Sequence, residues 1–266
     1  MTAFAGAAMG PSQELGQSLK LWPLWTFMSW QDIRQRYRGS LLGPFWVAGG
    51  VATASLGAGV LFSRILQVDT RELVPFVCLG IALWSLISLT LIEACHSFTA
   101  SWSLIRNAAL PRPVHVLRTV WRNLIVFAHT LPVVAAMLWL NGQKLHPEAV
   151  LALLGLALLI VNLVWSAWVI ALLSARFRDV IQLVTYGLQF VSFITPIFWY
   201  PDMAGRHFGM LVLNPFYHWL EVVRAPLLGH QPSPENWAVS GGMALAGTIA
   251  ALITFRRYRN DIAFWI

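Results

Sequence analysis

The sequence predicts an all-α integral membrane protein, and three observations lead there. Mean hydropathy is +0.65, with 58% hydrophobic and 11% charged residues, far from the usage of a soluble domain. Five stretches of 20 residues or more, 39–63, 123–143, 149–175, 180–201 and 236–255, lack Asp, Glu, Lys and Arg, and 73–92 adds a sixth that stops at Glu93. At about 1.5 Å per helical residue, each is long enough for a hydrocarbon core of roughly 30 Å. The basic residues are also unevenly placed. With six crossings and the N-terminus cytoplasmic, 13 of the 18 Lys and Arg fall on the cytoplasmic side, and Arg64, Arg71, Lys144, Arg206 and Arg224 fall opposite. The positive-inside rule then places both termini in the cytoplasm.

Six spans use most of the 266 residues, so a single membrane domain over 1–266 is expected, with no separate soluble domain. The net charge of +7 follows from topology and anionic-lipid attraction, so no nucleic-acid partner is expected. Residues 1–10 are small and apolar but lack a basic n-region, and read as a disordered start. Cys78 and Cys95 lie in or beside the second span and read as buried thiols; no metal site is expected. The two lysines, Lys20 and Lys144, follow Leu19 and Gln143, so neither belongs to a G-x-x-x-x-G-K-[ST] phosphate loop. Active transport by this chain would draw its energy from elsewhere.

Taken in order, residues 19–38 mix aromatics with charge. Trp30, Ile33 and Tyr37 share one helical face, with Gln31, Arg34, Gln35 and Arg38 opposite, which predicts an amphipathic helix in the membrane interface. It serves either as an anchor or as a docking shelf for a cytoplasmic partner. The first span opens at Pro44, suited to a first helical turn. Gly50, Ala54 and Ala58, and likewise Gly49, Thr53 and Gly57, repeat every fourth residue, a spacing that lets helices approach closely within the chain or between copies.

The second span carries Glu93 and His96 near its cytoplasmic end, where an ionisable group is costly unless paired or wet. Glu93, Cys95 and His96 do not all face one way on a helix, which weakens an active-site reading. The connection 102–118 holds Pro111, Pro113 and the arginines 106, 112 and 118, and predicts a short rigid element. Pro147 starts the fourth span, and Arg176-Phe177-Arg178-Asp179 makes a tight turn into the fifth, over 180–201. Residues 199–234 hold two apolar pieces too short to cross, broken by five prolines and rich in aromatics. They predict re-entrant helices between spans five and six.

Residues 31–46, QDIRQRYRGSLLGPFW, resemble the N-terminal signature of type-2 ATP-binding-cassette permeases that export polysaccharides. Residues 213–224, LNPFYHWLEVVR, are similar to that family's segment before the last span, and the RFRD turn at 176–179 also fits. The resemblance covers nearly the whole chain. It implies a homodimer with two copies of a separate nucleotide-binding ATPase, in the bacterial inner (cytoplasmic) membrane. The implied cargo is a glycan on undecaprenyl-type lipid, with O-antigen or a related surface glycan favoured. It also implies no catalytic residues and no cofactor in this chain, with ATP and Mg in the partner.

By the same resemblance, the ATPase contact falls on Arg34, Arg36, Arg106, Arg112, His115, Arg118, Arg176 and Arg178. Arg34, Arg36 and Arg38 are expected to admit the lipid pyrophosphate. Phe45, Trp46, Trp199, Tyr200, Phe216 and Tyr217 are the expected lining of the translocation path. A capsule or teichoic-acid permease, a small-molecule efflux permease, and an intramembrane glycan- or lipid-modifying enzyme remain the alternatives.

Overall fold

The computed structural model describes residues 10–107, 110–144 and 146–266, without the side chains at 106, 204, 206–208 and 210. Every regular element among them is helical. Two helices come first: α1 (Pro11–Lys20) and, after one residue, α2 (Trp22–Arg36). The chain then enters a bundle of α3 (Phe45–Leu66) and α4 (Thr70–Ala94), followed by the short α5 (Trp102–Asn107), then α6 (Pro113–Leu140) and α7 (Leu151–Arg176). After these come α8 (Asp179–Ile194), the short α9 (Phe208–Val212), α10 (Pro215–Leu227), the long α11 (Pro234–Tyr258) and the terminal α12 (Ile262–Trp265).

Among the described residues, five helices are long and apolar enough to cross a membrane: α3, α4, α6, α7 with its leading turn from Pro147, and α11. The chain is a multi-pass membrane protein. The stretch 180–201, expected as one span, is helical only to Ile194. Its 16 residues reach about 24 Å, short of a hydrocarbon core. The cause is local. Pro196 has no backbone N–H and drives the preceding Thr195 into extended geometry, φ −87° and ψ 132°.

Both described ends of the chain lie at one end of the bundle, here the terminal end. Arg259 Nη1 is 2.6 Å from Glu14 Oε2, and the Trp102 indole N–H donates to the Ile266 carbonyl at 3.2 Å. The opposite, far end begins at the α3–α4 hairpin, where Gln67 takes a left-handed φ of 56° and the Asp69 carboxylate accepts from Arg71 N–H at 2.9 Å. Close packing follows down the pair, because a Cβ on Gly59 would stand 2.7 Å from Val74 Cγ2.

Helix α4 is the centre, with residues 73–80 all buried. Leu83, Ile87 and Leu91 join Leu159 and Leu163 of α7 and Leu220 of α10 in one core. After the bend at Thr195, Tyr200 packs on Phe76 near the far end, with ring centroids 4.5 Å apart. The chain then plunges, so that α10 starts with Phe216 against Trp84, 5.6 Å away and about two turns deeper along α4. From there α10 climbs back, and Gly229 just beyond it lies against His146 in the α6–α7 connection. Its backbone runs so near α7 that a Cβ on Gly155 would sit 2.0 Å from Val222 O. Only glycine fits there.

Candidate functional site

At the terminal end, α2 is fastened to the bundle by charge. Ser29, Asp32 and Arg36 recur at helical spacing and share one face. Ser29 Oγ donates to the Arg118 carbonyl at 2.9 Å. Arg118 Nε donates to Asp32 Oδ2 at 2.7 Å, and its Nη2 to Oδ1. One turn along α6, Arg122 gives one Nη to Asp32 at 2.9 Å and the other to Glu93 of α4 at 2.7 Å. Arg36 Nη1 holds the second Glu93 oxygen at 2.6 Å, and Asn123 Nδ2 adds a bond of 2.8 Å. Bidentate, charge-assisted contacts of this kind resist both sliding and rotation. Burial raises the Asp32 pKa, but Arg118 and Arg122 outweigh it and hold the carboxyl below its ordinary value.

A second cluster locks α1. Glu14 accepts from the Arg112 N–H at 3.0 Å, and its two oxygens meet Arg112 Nη1 at 3.3 Å and Arg259 Nη1 at 2.6 Å. One carboxylate thus ties the first helix to the start of α6 and the end of α11. Asp32, Arg122 and Glu14 carry these clusters, and none was singled out from sequence. The i, i+4 spacing of Arg118 and Arg122 was the available signal.

The expected ATPase-facing residues divide into two sets. Arg34, Arg176 and Arg178 are exposed, with the Arg176 guanidinium 5.3 Å from the Trp265 ring centroid. Arg36, Arg112 and Arg118 are held in the ion pairs above. His115 is only 1% exposed, so packing within this subunit already covers it and it offers no docking surface. The side chain of Arg106 lies outside the described residues. The three arginines expected at a pyrophosphate, Arg34, Arg36 and Arg38, are all exposed, but Arg36 also pairs with the Glu93 carboxylate that Arg122 shares.

The six aromatics expected along the path do not form one wall. Phe45 and Trp46 sit at the terminal end of α3, both exposed, with Phe45 edge-on to His129 at 5.2 Å. Trp199 and Tyr200 lie toward the far end, and Phe216 and Tyr217 start the climb of α10 from about two turns deeper. There Phe216 packs edge-on to Trp84 and Trp219, and Tyr217 is buried beside His218. Arg224, wholly buried, braces that end. It pairs with Glu221, donates to the Pro196 carbonyl at 2.7 Å and lies 3.8 Å over the Phe76 ring.

Two helix faces remain open. On α3 the packed face is Ala48, Val51, Ser55, Gly59 and Ser63, while Gly49, Gly50, Thr53, Ala54 and Gly57 are exposed. Of the two small-residue stripes only Ala58 packs inside the subunit, against the Leu73, Phe76 and Val77 cluster, and the other five positions stand open. On α8 only Leu188 is buried, and Gln182, Tyr186, Gln189 and Phe193 form an exposed stripe of uncharged polar and aromatic groups.

The candidate catalytic group at the second span does not assemble. Both Glu93 oxygens are taken by arginines, Cys95 is buried and His96 is exposed. Among the described residues no three His, Cys, Asp or Glu stand close enough to hold a metal ion.

The sequence profile of the ABC-2 type transporter family matches residues 23–228, which spans α2 through α10. Two Klebsiella pneumoniae proteins named O-antigen export system permease protein RfbA are 24% and 23% identical over 190 residues, 70% of this chain and 72% of each relative. A Myxococcus xanthus protein of the same name is 24% identical over 245 residues, 88% of this chain and 91% of its own. Matched across the ionic cluster of α2, α4 and α6, the central bundle and the climbing α10, the chain belongs to the ABC-2 type transporter family.

Proposed function

We propose that this chain is the channel-forming permease of an exporter that moves a lipid-linked surface polysaccharide, of the O-antigen class, across the bacterial inner membrane. It works as a homodimer with two copies of a separate ATPase, which binds ATP and Mg. The names of the relatives support the cargo class. The α8 stripe carries the reading most directly. An exposed Gln182 and Gln189 are costly against lipid, and they suit a wet path along which sugar hydroxyls and ring faces slide. The open glycine face of α3 suits close approach of the second copy.

Parity supports six crossings. Helices α3, α4, α6, α7 and α11 make five, and both described termini share one end. The segment from Asp179 to Tyr200 therefore completes the sixth, as a short helix extended by the Thr195 bend. The plunge and climb from Tyr200 through α10 then form the re-entrant element, sealed by Arg224. With 13 of 18 basic residues at the terminal end, that end faces the cytoplasm.

The ATPase meets α2 and the exposed Arg34, Arg176 and Arg178. The paired Arg36, Arg112 and Arg118, with Arg122, relay its motion into α4 and α6. Arg34 and Arg38 draw in the anionic lipid head.

Reconstitution with the cognate ATPase tests this. Lipid-linked glycan should stimulate hydrolysis, and Gln182→Leu with Gln189→Leu should abolish the stimulation while leaving subunit assembly intact. Unchanged glycan stimulation in that double variant removes α8 from the path. Stimulation by small amphiphiles but not glycan removes the polysaccharide.

A further inference from the structure

At the terminal end, the chain beyond α11 folds back onto the bundle as α12. Ile262 is fully buried in the central core, which fixes the start of this short helix. The Trp102 indole N–H of α5 donates to the Ile266 carbonyl and fixes its other end. Between these anchors Trp265 lies against Tyr258 of α11, with ring centroids 5.8 Å apart. A short helix held at both ends presents its aromatic ring in one place. Helix α12 lies beyond residues 23–228, the stretch matched by the family profile.

The Trp265 ring meets Arg176, whose guanidinium carbon is 5.3 Å from the ring centroid. Phe177 is also near, at 5.1 Å, but it is the next residue and moves with the same turn. Trp265 comes from another helix, so it ties the guanidinium to the bundle. Arg36, Arg112 and Arg118 are each held by a carboxylate. Arg176 is exposed, and among the described residues no carboxylate pairs with it. A ring attracts a cation without cancelling its charge, so Arg176 is oriented and still able to meet an acidic group. An unrestrained arginine gives up rotamer freedom when it binds, and fixing it beforehand lowers that cost.

We propose that α12 pre-organises the ATPase contact of this subunit: Trp265 holds the Arg176 guanidinium in place for an acidic group of the partner, and the Ile262 and Ile266 anchors keep that ring still. Resting on the assignment of Arg176 to the ATPase face, this makes Trp265 a positioning residue that acts through Arg176.

Binding of the cognate ATPase to the full chain in lipid nanodiscs tests the proposal. Trp265→Leu or Trp265→Met should weaken binding about 2- to 5-fold, the scale of one cation–ring contact at an exposed site. Trp265→Phe should preserve most of the affinity, because a ring rather than bulk is required. Arg176→Met should weaken binding at least as much as Trp265→Leu, and combining the two should weaken it no further. Trp265→Leu and Arg34→Met should instead add, as independent sites do. Size-exclusion elution and circular dichroism should match those of the unaltered chain throughout. Unchanged binding in Trp265→Leu, an equal loss in Trp265→Phe, or additivity with Arg176→Met overturns the positioning role while leaving Arg176 on the ATPase face. Unaltered binding in both Arg34→Met and Arg176→Met removes that face, and the positioning role with it.

Discussion

Arg122 joins three helices with one guanidinium, donating from α6 to Asp32 of α2 and Glu93 of α4. Breaking a buried pair from one side strands the other charge, at a cost of about 3–5 kcal/mol. Here Asp32 keeps Arg118 and Glu93 keeps Arg36, so Arg122→Met should fall near the low end, about 3 kcal/mol. Thermal unfolding in detergent should register that loss, while Arg34→Met should leave the midpoint unmoved. Asp32 adds a pH signature. Its folded pKa lies below the ordinary 3.8, so its stabilising contribution is complete above that value and is lost only as pH falls through the depressed one. The distance between spin labels at Gln35 and Asn107 should hold from neutral pH down to 3.8 and broaden only below it. Broadening above 3.8 would show that the arginines do not hold the carboxyl down.

At the scale of the element, α3 carries glycines on two faces with different duties. Gly59 belongs to the packed face, where Val74 leaves no room for a Cβ; Gly57 belongs to the open one, with nothing within 4 Å. Gly59→Leu should therefore overpack the α3–α4 hairpin and destabilise the isolated subunit by about 1–3 kcal/mol. Gly57→Leu should leave subunit stability intact and reduce self-association, read by light scattering of the purified protein. Equal effects of the two changes on the monomer would contradict the division of faces. Helix α8 follows the same logic: it is too short to span unaided, and its stripe of Gln182 and Gln189 is exposed because no neighbour in the subunit covers it.

For the whole molecule, the shared end of the termini constrains the path of the chain. A cysteine placed at Gln143 or His230 should react with a membrane-impermeant maleimide added outside intact inner-membrane-bounded cells. One at Arg38 or Asn260 should react only after permeabilisation. Labelling of His230 and Asn260 from the same side would break the six-crossing path. Charge and geometry agree here, because the basic terminal end is also the end where the two ionic clusters gather α1, α2, α4, α6 and the chain after α11.

Hydropathy and the placement of basic residues were legible along the chain, since both depend on local composition. The membrane class, five of the six expected spans as long helices and the broken 199–234 region followed from them, whereas the family signature rested on particular residues at 31–46, 176–179 and 213–224. The length of α8 was misread because apolar composition continues past Pro196 while the backbone cannot. Glu93 was recognisable as costly, yet its partners stand 29 and 57 positions away on other helices, and no one-dimensional pattern pairs them. His115 looked like a surface residue between arginines until packing enclosed it, and the two faces of α3 were indistinguishable until α4 covered one. Sequence alone determines which segments leave water, because transfer free energy is summed residue by residue. Only the tertiary structure decides which charges are neutralised and which helix faces stay open, because those depend on what folds against them.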